Sequence, residues 1–143
     1  MDYLIKVRSL NSVDGDEIKE EIITHADLAG HKDDYILTYT EDVDGGIAET
    51  VIRVIKGECV TVRRKAEMQT DMVIETGRKH TSEHRLPFGS FQLEVIGSRV
   101  SSVFSEDEVQ LSFAYTTYQG NEPIGKAEFN ITLRKKGRIS GKI

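Results

Sequence analysis

Apolar and polar residues alternate with a period of two along most of the chain, in short runs separated by turn residues. Such alternation is typical of β-strands that bury one face. It predicts strands at residues 4–10, 48–55, 60–63, 68–74, 91–96, 109–115 and 127–134. Breaks that contain glycine, among them Asp14-Gly15-Asp16 and Asp44-Gly45-Gly46, fall between the runs and predict hairpin turns.

In one segment, residues 16–28, the apolar residues fit both the helical and the strand period. Ile18, Ile22 and Ile23 fit the apolar stripe of a helix, whereas Ile18, Ile22 and Ala26 lie on one face of a strand. Because predicted strands surround this segment, we prefer the strand over the helix.

The strand pattern predicts an all-β fold built from about nine or ten short strands. An antiparallel sheet that covers a core needs one apolar and one polar face on each strand. Closing that sheet into a meander β-barrel removes exposed edges, and a barrel of this size can hold a small cavity. A sandwich of two sheets is the alternative. We predict a single barrel domain at residues 1–134 and a basic C-terminal tail at residues 135–143.

The formal charge of −5 is unevenly distributed. Residues 134–143 hold five basic and no acidic side chains, so the first 133 residues carry 14 basic and 24 acidic ones, a formal charge of −10. A body this acidic would repel a phosphate backbone, which disfavours nucleic-acid binding by the whole domain. The basic tail could contact RNA or another acidic partner weakly, although a solvated terminus is the simpler interpretation.

Three further features bear on location. No apolar run approaches the roughly 18 residues that a membrane helix needs. The first six residues show no secretory signal, and Cys59 has no second cysteine with which to form an internal disulfide. We therefore expect a cytoplasmic protein with no membrane partner.

Several short motifs carry a resemblance to a known family. They are Val60-Thr61-Val62-Arg63-Arg64, Glu67-Met68, His84-Arg85-Leu86-Pro87-Phe88-Gly89, Leu111-Ser112-Phe113-Ala114-Tyr115 and, more loosely, Tyr35-Ile36-Leu37-Thr38-Tyr39-Thr40-Glu41. With these motifs the chain resembles the YwiB-like family of bacterial proteins. The resemblance implies a calycin-type, lipocalin-like β-barrel and implies no particular activity. The chain departs from the family pattern at Ala66, His84 and Leu86, where Gly, Tyr and Thr are usual.

The segment His80-Thr81-Ser82-Glu83-His84 matches H-x-x-E-H, an inverted zinc-peptidase pattern. That chemistry needs a helix, on which both histidines share a face. Gly77 and Pro87 enclose too short a segment for one. On a strand the two histidines would lie roughly 13 Å apart, too far to share a zinc ion. We interpret them as solvated strand histidines, predict no metal and no cofactor, and disfavour a hydrolase or metalloenzyme.

Arg64 continues the face of Val60 and Val62, so it points to the interior if that strand is regular. A buried arginine must be paired, and its planar donors suit a carboxylate or a phosphate. An Arg–Glu pair, or an arginine reaching out at the barrel mouth, is the simpler interpretation. A ligand anchor is the other.

The candidate site contains three more residues. Tyr39 and Tyr115 share faces with apolar neighbours and could offer hydroxyl groups to a cavity, although most such tyrosines are core residues. With His84, the predicted ligand-binding residues are Arg64, Tyr39, His84 and Tyr115, and no catalytic residue is predicted. The leading hypothesis is non-enzymatic binding of a small molecule in or at the mouth of the barrel. The alternative is a structural or interaction module that docks a protein or RNA through its surface or basic tail, and the oligomeric state stays open.

Overall fold

The alternating segments of the sequence form strands that wind around a common interior. The structure is a computed structural model that describes residues 2–136. Its ten strands are β1 (Tyr3–Val13), β2 (Asp16–His31), β3 (Asp34–Val43), β4 (Gly46–Ile55), β5 (Cys59–Lys65), β6 (Gln69–Glu75), β7 (Lys79–Leu86), β8 (Gly89–Phe104), β9 (Glu108–Gln119) and β10 (Glu122–Lys135).

Each strand pairs antiparallel with the next one along the chain, and β1 pairs with β10 to close the barrel. The prediction of an all-β antiparallel meander barrel is therefore confirmed, and the sandwich alternative is wrong. The segment at residues 16–28 lies within β2, so the choice of strand over helix is confirmed as well.

The meander places its hairpins alternately at the two ends of the barrel. The β1–β2, β3–β4, β5–β6, β7–β8 and β9–β10 turns surround one end, which we call the mouth. The other four turns lie at the opposite end, which we call the closed end, together with the start of β1 and the end of β10.

Apolar side chains fill the barrel toward the closed end. Tyr35, near the start of β3, is fully buried there, and its ring packs at 5.0 Å from that of Phe104. Its hydroxyl forms a 2.6 Å hydrogen bond with Ser102, so this buried polar group has a partner. The core around it includes Ile5, Leu37, Val54, Val60, Ile74, Val95, Val109, Leu111, Ile131 and Leu133.

Strands β6 and β7 separate after a short ladder, and β8 fills the gap between them. Their pairing covers only Gln69–Asp71 against Glu83–Arg85. Beyond it, the amide of Gly77 donates to the carbonyl of Gly97, which lies at a bulge in β8. A Cβ atom at Gly97 would lie 2.4 Å from the carbonyl oxygen of Glu75, so only glycine permits this approach.

The C-terminal region begins at the closed end. Strand β10 reaches Lys135, one residue beyond the predicted domain boundary, and the Lys136 amide donates to the Asp2 carbonyl. Residues 137–143, the rest of the predicted basic tail, lie outside the described residues. In the described part of the chain there is no helix of the length and apolar character needed to cross a membrane.

Candidate ligand-binding site

A cavity of about 400 Å³ occupies the mouth half of the barrel. Every one of the ten strands contributes at least one side chain to its lining. The four residues predicted from the sequence, Arg64, Tyr39, His84 and Tyr115, all line this cavity. The fold thus brings together residues that are far apart in the sequence.

One wall of the cavity is a row of polar side chains on five neighbouring strands. Tyr39 on β3 lies opposite Thr50 on β4, Thr50 opposite Arg64 on β5, Arg64 opposite Thr70 on β6, and Thr70 opposite His84 on β7. We call these five residues the polar row. Sequence analysis missed Thr50 and Thr70, although both lie on the apolar face of an alternating strand, a signal that could have identified them.

An apolar row lies directly beneath the polar row, on the side of the closed end. It consists of Leu37, Ile52, Val62 and Met72, which are cross-strand neighbours on β3 to β6. Three of them, Ile52, Val62 and Met72, also line the cavity. The cavity therefore has a polar rim above an apolar floor.

Arg64 forms an ion pair with Glu41 at the mouth. Its Nη1 donates to a Glu41 carboxylate oxygen and lies 3.4 Å from the Thr50 hydroxyl. The Nε and Nη2 atoms have no hydrogen-bond partner in residues 2–136. The Arg–Glu pair, the simpler interpretation of Arg64, is thus present in the structure, and Arg64 also lines the cavity.

His84 is buried, with 9% of its surface exposed, so its interpretation as a solvated histidine was wrong. Closure of the barrel places it among Thr70, Ser82 and Phe91, whose ring stacks on the imidazole at 4.9 Å. Burial lowers the pKa of His84 below its ordinary value, which favours the neutral ring at neutral pH.

The hydrogen bonds around Ser82 indicate which imidazole nitrogen carries the proton. The Ser82 hydroxyl donates its hydrogen to the Leu93 carbonyl, 3.2 Å away. Nε2 of His84 lies 3.0 Å from the same oxygen, and the tautomer that satisfies both contacts has the proton on Nε2. Nδ1 is left as an acceptor, and its nearest donor is the Thr70 hydroxyl at 3.5 Å. This acceptor lies in the wall of the cavity.

The other residues of the H-x-x-E-H segment do not join His84. His80 is bonded through Nε2 to Glu75 at 2.8 Å, and Glu83 pairs with Arg85 on the outside of the barrel. Within residues 2–136, no three His, Cys, Asp or Glu side chains are grouped as a metal site would require.

Two tyrosines present hydroxyl groups in the cavity. Burial raises the pKa of Tyr39, whose hydroxyl is bonded to Thr50, and the nearby Glu41 carboxylate raises it further. Burial raises the pKa of Tyr115 to about 12. No residue of the described part of the chain forms a hydrogen bond with the Tyr115 hydroxyl. Both side chains are therefore neutral donors at physiological pH.

Aromatic rings form the wall that faces the polar row. Phe113 stacks on Phe129 with ring centroids 5.0 Å apart, and Tyr115 lies parallel to Phe129 at 6.4 Å. All three line the cavity. A bound molecule would thus contact flat apolar surfaces on one side and hydrogen-bonding groups on the other.

The chain matches a protein family, and it is similar to a bacterial protein and to a solved structure. The model of the family described as "Domain of unknown function (DUF1934)" matches residues 5–131, a range that includes every cavity-lining residue. The chain is 25% identical over 118 residues to the "Uncharacterized beta-barrel protein YwiB" of Bacillus subtilis (strain 168), covering 82% of each protein. It is also similar to the crystal structure of the ywiB protein from Bacillus subtilis, with a TM-score of 0.80 and 22% identity over 93% of this chain and 90% of that one.

Proposed function

Because the chain belongs to the DUF1934 family, whose description names no activity, we propose a function from the cavity itself: the protein binds a small amphipathic molecule in the mouth of its barrel. The sequence resemblance to the YwiB-like family is confirmed by the same comparisons. The calycin-type character that this resemblance implies agrees with a ligand held inside the barrel.

The observation that carries the proposal is the set of unpaired polar groups above an apolar floor. In residues 2–136, two nitrogens of Arg64 and the hydroxyl of Tyr115 have no protein partner, and Nδ1 of His84 has only a long contact with Thr70. These groups are not sealed inside the protein, since every fully buried side-chain N or O atom among the described residues has a hydrogen-bond partner. They are reachable from the cavity, so a ligand with matching groups can form hydrogen bonds with them.

Size and lining also support binding of a small molecule. A cavity of about 400 Å³ lies within the range of sites that hold such ligands. Ile52, Val62 and Met72 on one side and Phe113 on the other offer apolar contacts, each buried methylene of a ligand contributing about 0.8 kcal/mol. A polar head at the rim and an apolar body below it match this lining.

The hydrogen bonds favour binding over catalysis. In the tautomer that satisfies both contacts of Ser82, its hydrogen is directed to Leu93 and not to His84, which opposes activation of Ser82 as a nucleophile. Cys59 points away from the cavity, and burial raises the pKa of its thiol, which opposes formation of a reactive thiolate. These contacts support a binding protein.

A cavity-filling substitution tests the proposal. Val62→Phe adds volume to the floor, and we expect it to weaken binding of the neutral fluorescent probe Nile red about tenfold or more, because such overpacking clashes cost more than about 1.4 kcal/mol. Val103→Phe is the matched control, since Val103 is 61% exposed on the outside. Native mass spectrometry of the purified protein provides a second readout through a co-purified small molecule.

Two results would contradict the proposal. One is a wild-type protein that neither enhances Nile red fluorescence nor carries a small molecule. The other is equal probe affinity in Val62→Phe and Val103→Phe, which would place the probe on the surface.

The alternative function, docking of a protein or RNA, concerns another part of the molecule. Strand β10 ends at Lys135 at the closed end, whereas the cavity opens at the mouth.

A further inference from the structure

A carboxylate and two aromatic rings share one cross-strand row near the mouth. Glu20 on β2 lies opposite Ser9 on β1, Ser9 opposite Phe129 on β10, and Phe129 opposite Phe113 on β9. Glu20, Phe129 and Phe113 line the cavity. Since neighbouring strands lie about 4.8 Å apart, Glu20 and Phe129 are separated by roughly 10 Å at the backbone. Glu20 is exposed where it lines the cavity.

Glu20 leaves the cavity with one uncompensated negative charge. The cavity lining contains three residues of fixed charge, Glu20, Glu41 and Arg64. Arg64 is paired with Glu41, whereas Glu20 has no ion pair in residues 2–136. His84, buried and neutral, adds no charge.

From this arrangement we propose, as a refinement of the function above and resting on it, that the ligand is an organic cation with an apolar body. Its ammonium group lies between the Glu20 carboxylate and the rings of Tyr115 and Phe129. Its apolar part covers the floor around Ile52 and Val62.

The Glu20 carboxylate and the aromatic rings both favour a cation over an anion or a neutral group. Opposite charges about 4 Å apart attract by roughly 1 kcal/mol in water and about 4 kcal/mol near a protein surface. An ammonium group over an aromatic face gains about 0.5–2 kcal/mol more. The parallel Phe113, Phe129 and Tyr115 rings supply such faces beside Glu20.

Two of the five hairpins at the mouth act in the same direction. The β1–β2 turn region, residues 12–20, carries four acidic side chains and one basic one. The neighbouring β3–β4 turn region, residues 41–49, carries four acidic and no basic side chains. Both acidic hairpins lie at the mouth, where they would attract cations toward the opening.

An anionic amphiphile such as a fatty acid fits this site less well. Arg64 has free donors, yet its charge is already balanced by Glu41. A carboxylate ligand would bring a third negative group near Glu20 and Glu41, and only one positive group would be present. An organic cation instead makes the site neutral.

Three probes with the same chain length test the proposal: octyltrimethylammonium, octan-1-ol and octanoate, each below its micelle concentration. In isothermal titration calorimetry of the full chain, we expect the cation to bind roughly tenfold more tightly than octanoate, with the alcohol between them. Glu20→Gln should reduce the affinity for the cation roughly tenfold and leave that for the alcohol within about twofold. Glu17→Gln is the matched control, because Glu17 lies in the same hairpin on the outer face and its loss changes the net charge equally.

The binding results distinguish failure of the cation assignment from failure of the binding function. Octanoate binding as tightly as the cation, or equal losses of cation affinity in Glu20→Gln and Glu17→Gln, would overturn the cation assignment while a binding function stands. Failure of all three probes to bind would overturn the binding function and the cation assignment together.

Discussion

Arg64 and Glu41 form an ion pair at the mouth of the cavity, reaching across strand β4. Arg64 lies opposite Thr50, which in turn lies opposite Tyr39, and Glu41 follows Tyr39 by two residues on β3. The Arg64 side chain is 37% exposed and that of Glu41 only 14%. The carboxylate therefore depends on the pair more than the guanidinium does, because water reaches the guanidinium more easily.

This asymmetry predicts unequal costs for removing each partner. Arg64→Met leaves a poorly hydrated carboxylate without its charge partner, and we expect the free energy of unfolding to fall by about 1–3 kcal/mol. Glu41→Gln should lower the free energy of unfolding by less than Arg64→Met does. Urea unfolding of both variants measures the difference. Arg63→Met is the control, because Arg63 is 61% exposed and its pair with Asp71 should contribute less than about 1 kcal/mol. A larger loss in Glu41→Gln than in Arg64→Met would contradict the prediction.

The buried imidazole of His84 predicts a pH dependence of stability. Burial places its pKa in the folded protein below the value of about 6.5 expected for the unfolded chain. As the pH falls below about 6.5, the unfolded chain takes up a proton that the folded protein does not, so stability decreases toward the folded pKa and is constant above about 6.5. Chemical denaturation at several pH values should show this decrease in the wild type.

His84→Gln should reduce the pH dependence, whereas substitution of the exposed His31 by Gln should keep it. Nitrogen chemical shifts of His84 provide a direct check, since we expect the proton on Nε2. An identical pH profile in His84→Gln and the wild type would show that another group is responsible.

Two tyrosine hydroxyls form a matched pair for a test of hydrogen bonding. Tyr35→Phe removes a hydroxyl bonded to Ser102 at 2.6 Å, and we expect a loss of about 1 kcal/mol in stability. Tyr115→Phe removes a hydroxyl that has no partner in residues 2–136, so stability should change by less than about 0.5 kcal/mol. Thermal and urea unfolding compare the variants. Equal losses in both would mean that the Tyr115 hydroxyl is stabilised in the folded protein.

Spectroscopic titration measures the pKa of Tyr115 and so reports how far its hydroxyl is buried. Burial raises its pKa to about 12, so its phenolate absorbance should appear later than that of an exposed tyrosine. The difference between wild type and Tyr115→Phe isolates this signal. A component titrating near pH 10 in that difference spectrum would show that the side chain is hydrated.

The approach of β8 to the end of β6 predicts that replacing Gly97 destabilises the fold. In Gly97→Ala the new Cβ would lie 2.4 Å from the Glu75 carbonyl oxygen, and we expect a loss of about 1–3 kcal/mol as the strands move apart. Gly125→Ala is the milder comparison, because its Cβ would lie 3.3 Å from the Ser12 carbonyl oxygen. The prediction is contradicted if Gly97→Ala unfolds at the same urea concentration as the wild type.

Much of the fold follows from local pattern. The two-residue period is a local property of a strand, and each strand needed only its own side chains to show which face it buries. For this reason the all-β class, the strand at residues 16–28 and the inward direction of Arg64 were predictable. Arg64 continues a face that Val60 and Val62 already define.

The composition of the candidate site could not be predicted from the sequence of any single strand. Which inward side chains become neighbours is set by strand register and by closure of the barrel, so Thr50 and Thr70 were not recognised beside Arg64. The Arg64 and Glu41 partners lie 23 residues apart in sequence, with two turns between them. Their pairing arises only once β3, β4 and β5 are aligned.

The sequence by itself thus determined the strands, their inward faces and the direction of Arg64, because alternation acts over two residues. Only the tertiary structure decided that His84 is buried beneath Phe91, and that Glu20, Phe113 and Phe129 line one cavity. Exposure and cavity volume depend on the distances between strands. Those distances result from closing the whole sheet.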